Sequence, residues 1–144
     1  MKPTMWLADY AKVSDGKVDS LGGGWTNILP QGPFGFVVAG TIEVPWNLTN
    51  EQHTIRLDML DADGQPIPTA NGENVVHIDG TFEIGRPPGT PAGTPIAFPV
   101  VFPFGPLALE PGRYEIRLTI AGESREGWYL AFNVLAAPPQ IMAA

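Results

Sequence analysis

Apolar and polar residues alternate along four segments of the chain, so every second side chain would lie on one face of a β-strand. The four segments are Phe34 to Val44, Thr54 to Leu60, Arg113 to Ile120 and Trp128 to Val134. Weaker alternation predicts further strands at Met5 to Lys12, Trp25 to Leu29, Val75 to Ile78 and Thr81 to Ile84. Together with a proline-rich strand after Pro95, the pattern predicts eight or nine short strands.

Turn-forming pairs separate these strands. Asp15-Gly16, Asp61 to Gly64, Asn71-Gly72, Asp79-Gly80 and Pro111-Gly112 are each able to reverse the chain. Strands at this spacing, with such turns, are typical of two packed antiparallel sheets rather than of a parallel sheet with crossover helices. The sequence therefore predicts an all-β fold, a single antiparallel β-sandwich over residues 1–135. Residues 136–144 are expected to form an Ala/Pro-rich C-terminal tail, because two prolines remove backbone donors.

Prolines recur every four residues, at positions 87, 91, 95, 99 and 103. From Ile96 to Phe104 apolar side chains alternate with prolines, which predicts an edge strand blocked against further pairing. Upstream, Pro87 to Pro95 contains Pro-x-Gly-Thr twice and is expected to be a stiff, exposed loop. Two interpretations stay open: the prolines only guard the edge against aggregation, or the loop is a preordered arm that docks on a partner.

Composition narrows the classes of function. The 17 glycines and 16 prolines of 144 residues disfavour long helices, while 44% hydrophobic content disfavours disorder. A net charge of −7 argues against nucleic acid and anionic membranes as partners. The chain has no cysteine, so it has neither disulfides nor thiolate metal ligands. Without a signal-like or membrane-spanning apolar run, the expected location is the cytoplasm, or the virion for a phage-encoded protein.

Candidate chemistry is sparse. None of the three serines lies in a Gly-x-Ser-x-Gly motif, and His53 and His77 are expected to be surface or structural side chains. Asp61-x-Asp63-Gly64 resembles the start of a calcium loop but lacks its glycine at the sixth position and its closing glutamate, which favours a hairpin turn. The sequence thus predicts no catalytic residue, no metal and no cofactor, and a protein that is not an enzyme.

Two tryptophans keep a second hypothesis open. Trp25 and Trp46 both adjoin turns, and exposed aromatic rings beside carboxylates are typical of carbohydrate sites. The alternative function is therefore a cytosolic small-ligand or carbohydrate-binding β-sandwich that uses these two rings.

The segment Leu109-Glu110-Pro111-Gly112-Arg113-Tyr114 resembles the tyrosine corner of immunoglobulin-like sandwiches. The chain also resembles an uncharacterised family of small β-sandwich proteins from actinobacteria and phages. That resemblance rests on Trp6-Leu7-Ala8-Asp9-Tyr10, Gly22-Gly23-Gly24-Trp25, Ile42-Glu43-Val44-Pro45-Trp46-Asn47, Gly85-Arg86-Pro87-Pro88-Gly89 and Pro111-Gly112-Arg113-Tyr114. It implies an immunoglobulin-like sandwich that stands alone, and it assigns no catalytic residue.

The function predicted from these features is a non-catalytic structural or interaction protein, such as a decoration or cementing subunit of a phage-like capsid. Its expected partners are other protein subunits, copies of itself included. The residues expected to contact a partner are Arg86, Pro87, Pro88, Thr90, Pro91 and Thr94 in the loop and Pro138, Pro139, Ile141 and Met142 in the tail.

Overall fold

Nine β-strands make up the computed structural model, which describes residues 1–137. They are β1 (Lys2–Ser14), β2 (Lys17–Gly23), β3 (Asn27–Ile28), β4 (Phe34–Val44), β5 (His53–Leu60), β6 (His77–Phe82), β7 (Ile96–Leu107), β8 (Gly112–Ile120) and β9 (Tyr129–Val134). A single 3₁₀ turn, Trp46–Leu48, follows β4 within the described residues. The strands form a four-stranded sheet in the order β2-β1-β4-β7 and a five-stranded sheet in the order β3-β9-β8-β5-β6. This confirms the predicted all-β sandwich.

The structure differs from the predicted local structure at three places, and at one of them, the Asp79-Gly80 turn, the prediction is wrong. The strand β2 was not predicted, because its residues Lys17 to Gly23 carry almost no apolar alternation. Asp79-Gly80 is not a turn: the two strands predicted around it are one strand, β6, paired with β5 through Arg56↔Asp79 and Ile55↔Gly80. Pairing with a neighbouring strand overrides the local turn preference of these two residues. The short β3 pairs parallel with β9, in a fold otherwise built from antiparallel pairs.

The core lies between the two sheets and is built from the faces that alternation predicts. Its largest fully buried side chains are Phe132, Ile42, Leu57, Met59, Ile120, Val38 and Val44. Aromatic rings concentrate around Phe36, which contacts Phe104, Phe132 and Trp25 at centroid distances of 5.2–5.7 Å. Burial of this apolar surface is the main stabilising contribution to the fold.

A second, smaller buried cluster extends the fold beyond the sheet interface. It comprises Ala8, Ala11, Val37 and Ala39, with Trp6, Val18 and Val101 packed against it. The β1–β2 ladder has no pair between Asp9 and Gly22, and Gly22 has a left-handed φ of 61°. The strand β2 also approaches β7, although β1 and β4 lie between them in the sheet order.

The proline-rich strand β7 is an edge strand, as predicted. It pairs on one side with β4, from Val44↔Ile96 to Phe34↔Leu107, and is the last strand in its sheet. Pro99 and Pro103 both lie within it.

The predicted tyrosine corner is present at the start of β8. The hydroxyl of Tyr114 donates a 2.7 Å hydrogen bond to the backbone carbonyl of Glu110, and the side chain is only 7% exposed. Burial, reinforced by the negative charges of Glu110 and Asp61, raises the pKa of Tyr114 above its ordinary value of 10.0.

We expect two effects from Tyr114→Phe. At neutral pH the variant loses about 1 kcal/mol of unfolding free energy, because the Glu110 carbonyl loses the donor of a partly buried hydrogen bond. In the parent protein, the unfolded chain ionises its tyrosine at about pH 10 while the folded protein keeps Tyr114 protonated, so stability falls as the pH rises above about 10. Urea unfolding at pH 7 and above pH 10 measures both effects. If the variant shows the same alkaline loss as the parent, Tyr114 is not its source.

Candidate functional site

The loop Arg86–Pro95, called the proline loop below, is built from two successive turns. The amide of Thr90 donates to the carbonyl of Pro87 at 3.1 Å, and the amide of Thr94 donates to that of Pro91 at 3.2 Å. Gly89 and Gly93 have φ of 87° and 84°, the values that the third position of a type II turn requires. Each Pro-x-Gly-Thr repeat is therefore one turn. Most of the loop is exposed, so its shape is set by local geometry rather than by burial.

Arg86 fastens the first end of the proline loop to the domain. Its guanidinium carbon lies 3.8 Å from the centroid of the Trp46 ring, a cation–π contact. Its Nε donates to Thr49 Oγ1 and its Nη2 donates to the Trp46 carbonyl, both at 2.7 Å. Three contacts by one side chain hold the loop to the 3₁₀ turn.

The 3₁₀ turn is itself held against the five-stranded sheet. Thr49, which is 4% exposed, donates from its hydroxyl to the Trp46 carbonyl at 2.6 Å. His53, at the start of β5, lies 2.7 Å from the Leu48 carbonyl through Nε2 and is 8% exposed. The amide of Asn50 donates to the Ile84 carbonyl, just before Arg86. His53 is therefore a structural histidine, and the base of the proline loop is anchored in the core.

The two tryptophans of the alternative site have different surroundings. The guanidinium of Arg86 lies over the ring of Trp46. Trp25 is half-buried and meets Phe36 and Phe132 edge to face at 5.7 and 5.9 Å, and its indole Nε1 is buried without a hydrogen-bond partner among the described residues. The ring of Trp25 is thus used in packing at the margin of the core.

The structure brings together residues that the sequence assigned to competing hypotheses. Arg86 was predicted to contact a partner and Trp46 a ligand, yet they contact each other across 40 positions. Thr49 and His53 complete the arrangement and were not predicted as site residues. Local sequence offers no signal for this pairing. The predicted tail contacts Pro138, Pro139, Ile141 and Met142 lie outside the described residues.

The carboxylate of Asp61 accepts hydrogen bonds from backbone amides of its own turn. Asp61 Oδ1 accepts the amides of Asp63 and Gln65, both at 2.9 Å, which is the hydrogen bonding of a hairpin turn. Among residues 1–137, no group of three or more His, Asp or Glu side chains is arranged to hold a metal ion.

Dialysis against a chelator is expected to leave the melting temperature unchanged, because Asp61 already accepts two amides. A bound ion at about 100 times its dissociation constant would contribute about 2.7 kcal/mol, or several degrees. Differential scanning calorimetry with and without EDTA measures this. A fall of several degrees on chelation, restored by Ca²⁺, would revive the calcium hypothesis.

Fold and site together define a β-sandwich that carries a rigid, exposed proline loop. A family model described as a family of unknown function (DUF6941) matches residues 3–133. Since this match covers most of the 144 residues, the chain belongs to that family. No curated protein matched the sequence. Within residues 1–137, no helix is long and apolar enough to cross a membrane.

Proposed function

We propose that the protein is a non-catalytic structural or interaction protein that works by contact with other protein subunits, including copies of itself. In the specific form of this proposal it is an accessory subunit, which decorates or cements a phage-like capsid. Kinship with actinobacterial and phage proteins, an immunoglobulin-like fold, and a location in the cytoplasm or the virion belong to the same proposal.

One observation carries it: the proline loop is exposed and already ordered. Its two type II turns are closed by backbone hydrogen bonds, and Arg86 fixes its base through one ring contact and two hydrogen bonds. A loop fixed before binding loses little conformational entropy when it docks. Prolines and glycines in turns present their backbone carbonyls to a partner, and the prolines also present the faces of their rings. A loop that only guarded the strand edge against aggregation would not require the anchor at Arg86.

One further observation supports contact with a protein rather than binding of a small ligand. The alternative of a small-ligand site draws no support from the tryptophans, because Arg86 covers one face of Trp46 and Trp25 packs on Phe132.

Arg86→Ala tests the proposal. The substitution removes the anchor of the proline loop. Where capsid genes lie beside this gene, we expect binding to the capsids assembled from them to fall at least tenfold in co-sedimentation. Stability is expected to fall by only about 1–2 kcal/mol, the sum of an exposed cation–π contact and modest hydrogen bonds. Arg125→Ala is the matched control: Arg125 also lies over a tryptophan, Trp128, at 5.3 Å but is remote from the loop in sequence.

Equal binding of parent and Arg86→Ala proteins would remove the proline loop from the mechanism. Loss of binding on Trp25→Ala, with Arg86→Ala unaffected, would favour the small-ligand alternative. An absence of capsid genes beside this gene would refute the capsid form of the proposal.

A further inference from the structure

A groove runs along one open side of the sandwich, between the edge strands β6 and β7. Two adjoining clefts form it, with volumes of about 240 and 380 Å³. The first lies between Ile78–Phe82 and Phe98–Phe102, and the second continues beside His77 as far as Leu107. We call this the β6–β7 groove. Its length follows ten residues of β7, about 33 Å, which suits an extended segment rather than a compact ligand.

The two strands that wall the groove differ in the backbone hydrogen-bond donors at their edges. The wall at β7 carries Pro99 and Pro103, which remove donors from that edge. The wall at β6 contains no proline, and within residues 1–137 β6 is hydrogen bonded only to β5, so alternate backbone groups of β6 have no partner in that part of the chain. An unprotected edge beside an apolar groove is the arrangement that accepts an added strand.

Gly80 leaves a gap in the β6 wall. Ile78 and Phe82 pack on the core from the same face of β6, and Gly80, two residues from each, pairs with the buried Ile55. A Cβ added at Gly80 would have nothing within 4 Å. The gap has the place and the apolar surroundings to receive one side chain of an inserted strand.

The charge beside the groove disfavours an acidic segment. Among its lining residues the carboxylate of Asp79 is 63% exposed, and its cation Arg56, at 3.6 Å, is already bonded to Asp58 at 2.9 Å. An acidic segment would be repelled there. Residues 138–144 follow the described part and read Pro-Pro-Gln-Ile-Met-Ala-Ala, with no charged side chain and two large apolar ones, Ile141 and Met142.

We propose that the β6–β7 groove binds residues 138–144 of a second copy of this chain as an added strand on β6, with Ile141 or Met142 in the gap at Gly80. The inference rests on the proposed function, because it names how copies of the protein join. The five residues after Pro139 all carry backbone donors and nearly match the six residues of β6.

Reach favours a second copy over the same one. The last strand, β9, ends where Val134 pairs with Gly112, at the end of the five-stranded sheet where β6 begins. A strand added on the outer edge of β6 would lie four strand spacings from β9, about 19 Å. Nearly the full extended length of residues 135–139 would be used in crossing that distance within one copy. A segment of another copy meets no such limit.

Two variants separate donor from acceptor. Deleting residues 138–144 removes the donor, which is the segment that docks. Gly80→Leu fills the gap in the acceptor groove, where an added side chain has open space around it. The parent protein is expected to sediment above the 15.4 kDa of one chain, and each variant alone to sediment as a monomer. Mixing the two variants should restore association, because one supplies an intact groove and the other an intact donor. Gly80→Ala is the matched control and should associate as the parent does.

The outcomes of this experiment are decisive. A monomeric parent, a Gly80→Leu protein that associates normally, or a mixture that stays monomeric would each overturn the inference. A monomeric parent whose melting temperature drops on truncation would indicate docking within one copy instead. If Gly80→Leu does not fold, the full-length double variant Ile141→Asp/Met142→Asp tests the inference from the donor side, and normal association of that variant would overturn it. The Arg86→Ala capsid experiment does not involve the groove, so failure of the proposed function is recognised separately.

Discussion

Phe132→Ala is expected to lower the unfolding free energy by about 3–5 kcal/mol, as large-to-small substitutions of buried aromatic residues do. Phe132 is 1% exposed and belongs to the largest fully buried side chains. Its ring contacts those of Trp25, Phe36 and Tyr114 at 5.4–5.9 Å, and it therefore joins the two sheets. Alanine leaves a cavity that rings held by their own strands cannot fill. Urea unfolding followed by tryptophan fluorescence measures the loss.

Tyr129→Ala is the matched control in the same strand. Tyr129 is 42% exposed, and its contact with Arg117, at 5.7 Å, lies on the outer face of the sheet. Its loss should cost less than about 1 kcal/mol. Similar losses for the two variants, or a loss below about 1 kcal/mol for Phe132→Ala, would show that this aromatic cluster is not the centre of the core.

Gly40→Ala is expected to cost about 3 kcal/mol or more, through overlap rather than a cavity. Gly40 lies in β4 opposite Met5, and a Cβ there would overlap the backbone carbonyl of Thr4. Backbone cannot move aside as a flexible side chain can. The substitution must therefore separate β1 from β4 at the centre of the four-stranded sheet, and guanidinium unfolding should show a lower midpoint.

Gly105→Ala is the control for this second variant. Gly105 lies in β7, where an added Cβ meets no atom within 4 Å and no left-handed φ is involved. Its stability should equal or slightly exceed that of the parent, because alanine restricts the unfolded chain. Equal tolerance of both substitutions would show that β1 and β4 are not in the close contact described here.

Strand positions were largely predictable, and the exceptions have physical causes. Alternation located β4, β5, β8 and β9 to within one or two residues because each has one face on the core. It failed for β2, which is exposed along most of its length and so carries no such pattern. The sequence-based prediction divided β6 at Asp79-Gly80 because turn preference is local, whereas the pairing of β6 with β5 joins residues 19 to 29 positions apart.

The candidate site was predictable in its parts but not in its assembly. The two Pro-x-Gly-Thr turns follow from the residues themselves, since glycine at the third position fits the left-handed φ of a type II turn. The anchor at Arg86 does not follow from them. Trp46 and Arg86 are 40 residues apart, and the folding of the chain around β5 and β6 brings them to 3.8 Å.

Local chemistry is thus enough to specify an all-β protein with an edge strand rich in proline, a tyrosine corner and two type II turns. Each depends on residues within a few positions of one another, through alternation, fixed proline φ and glycine at positive φ. Strand order, the parallel pairing of β3 with β9, the contact of Arg86 with Trp46 and the β6–β7 groove depend on which distant segments become neighbours. That choice is made by burial of the whole core at once, a property of the folded chain that no short segment carries.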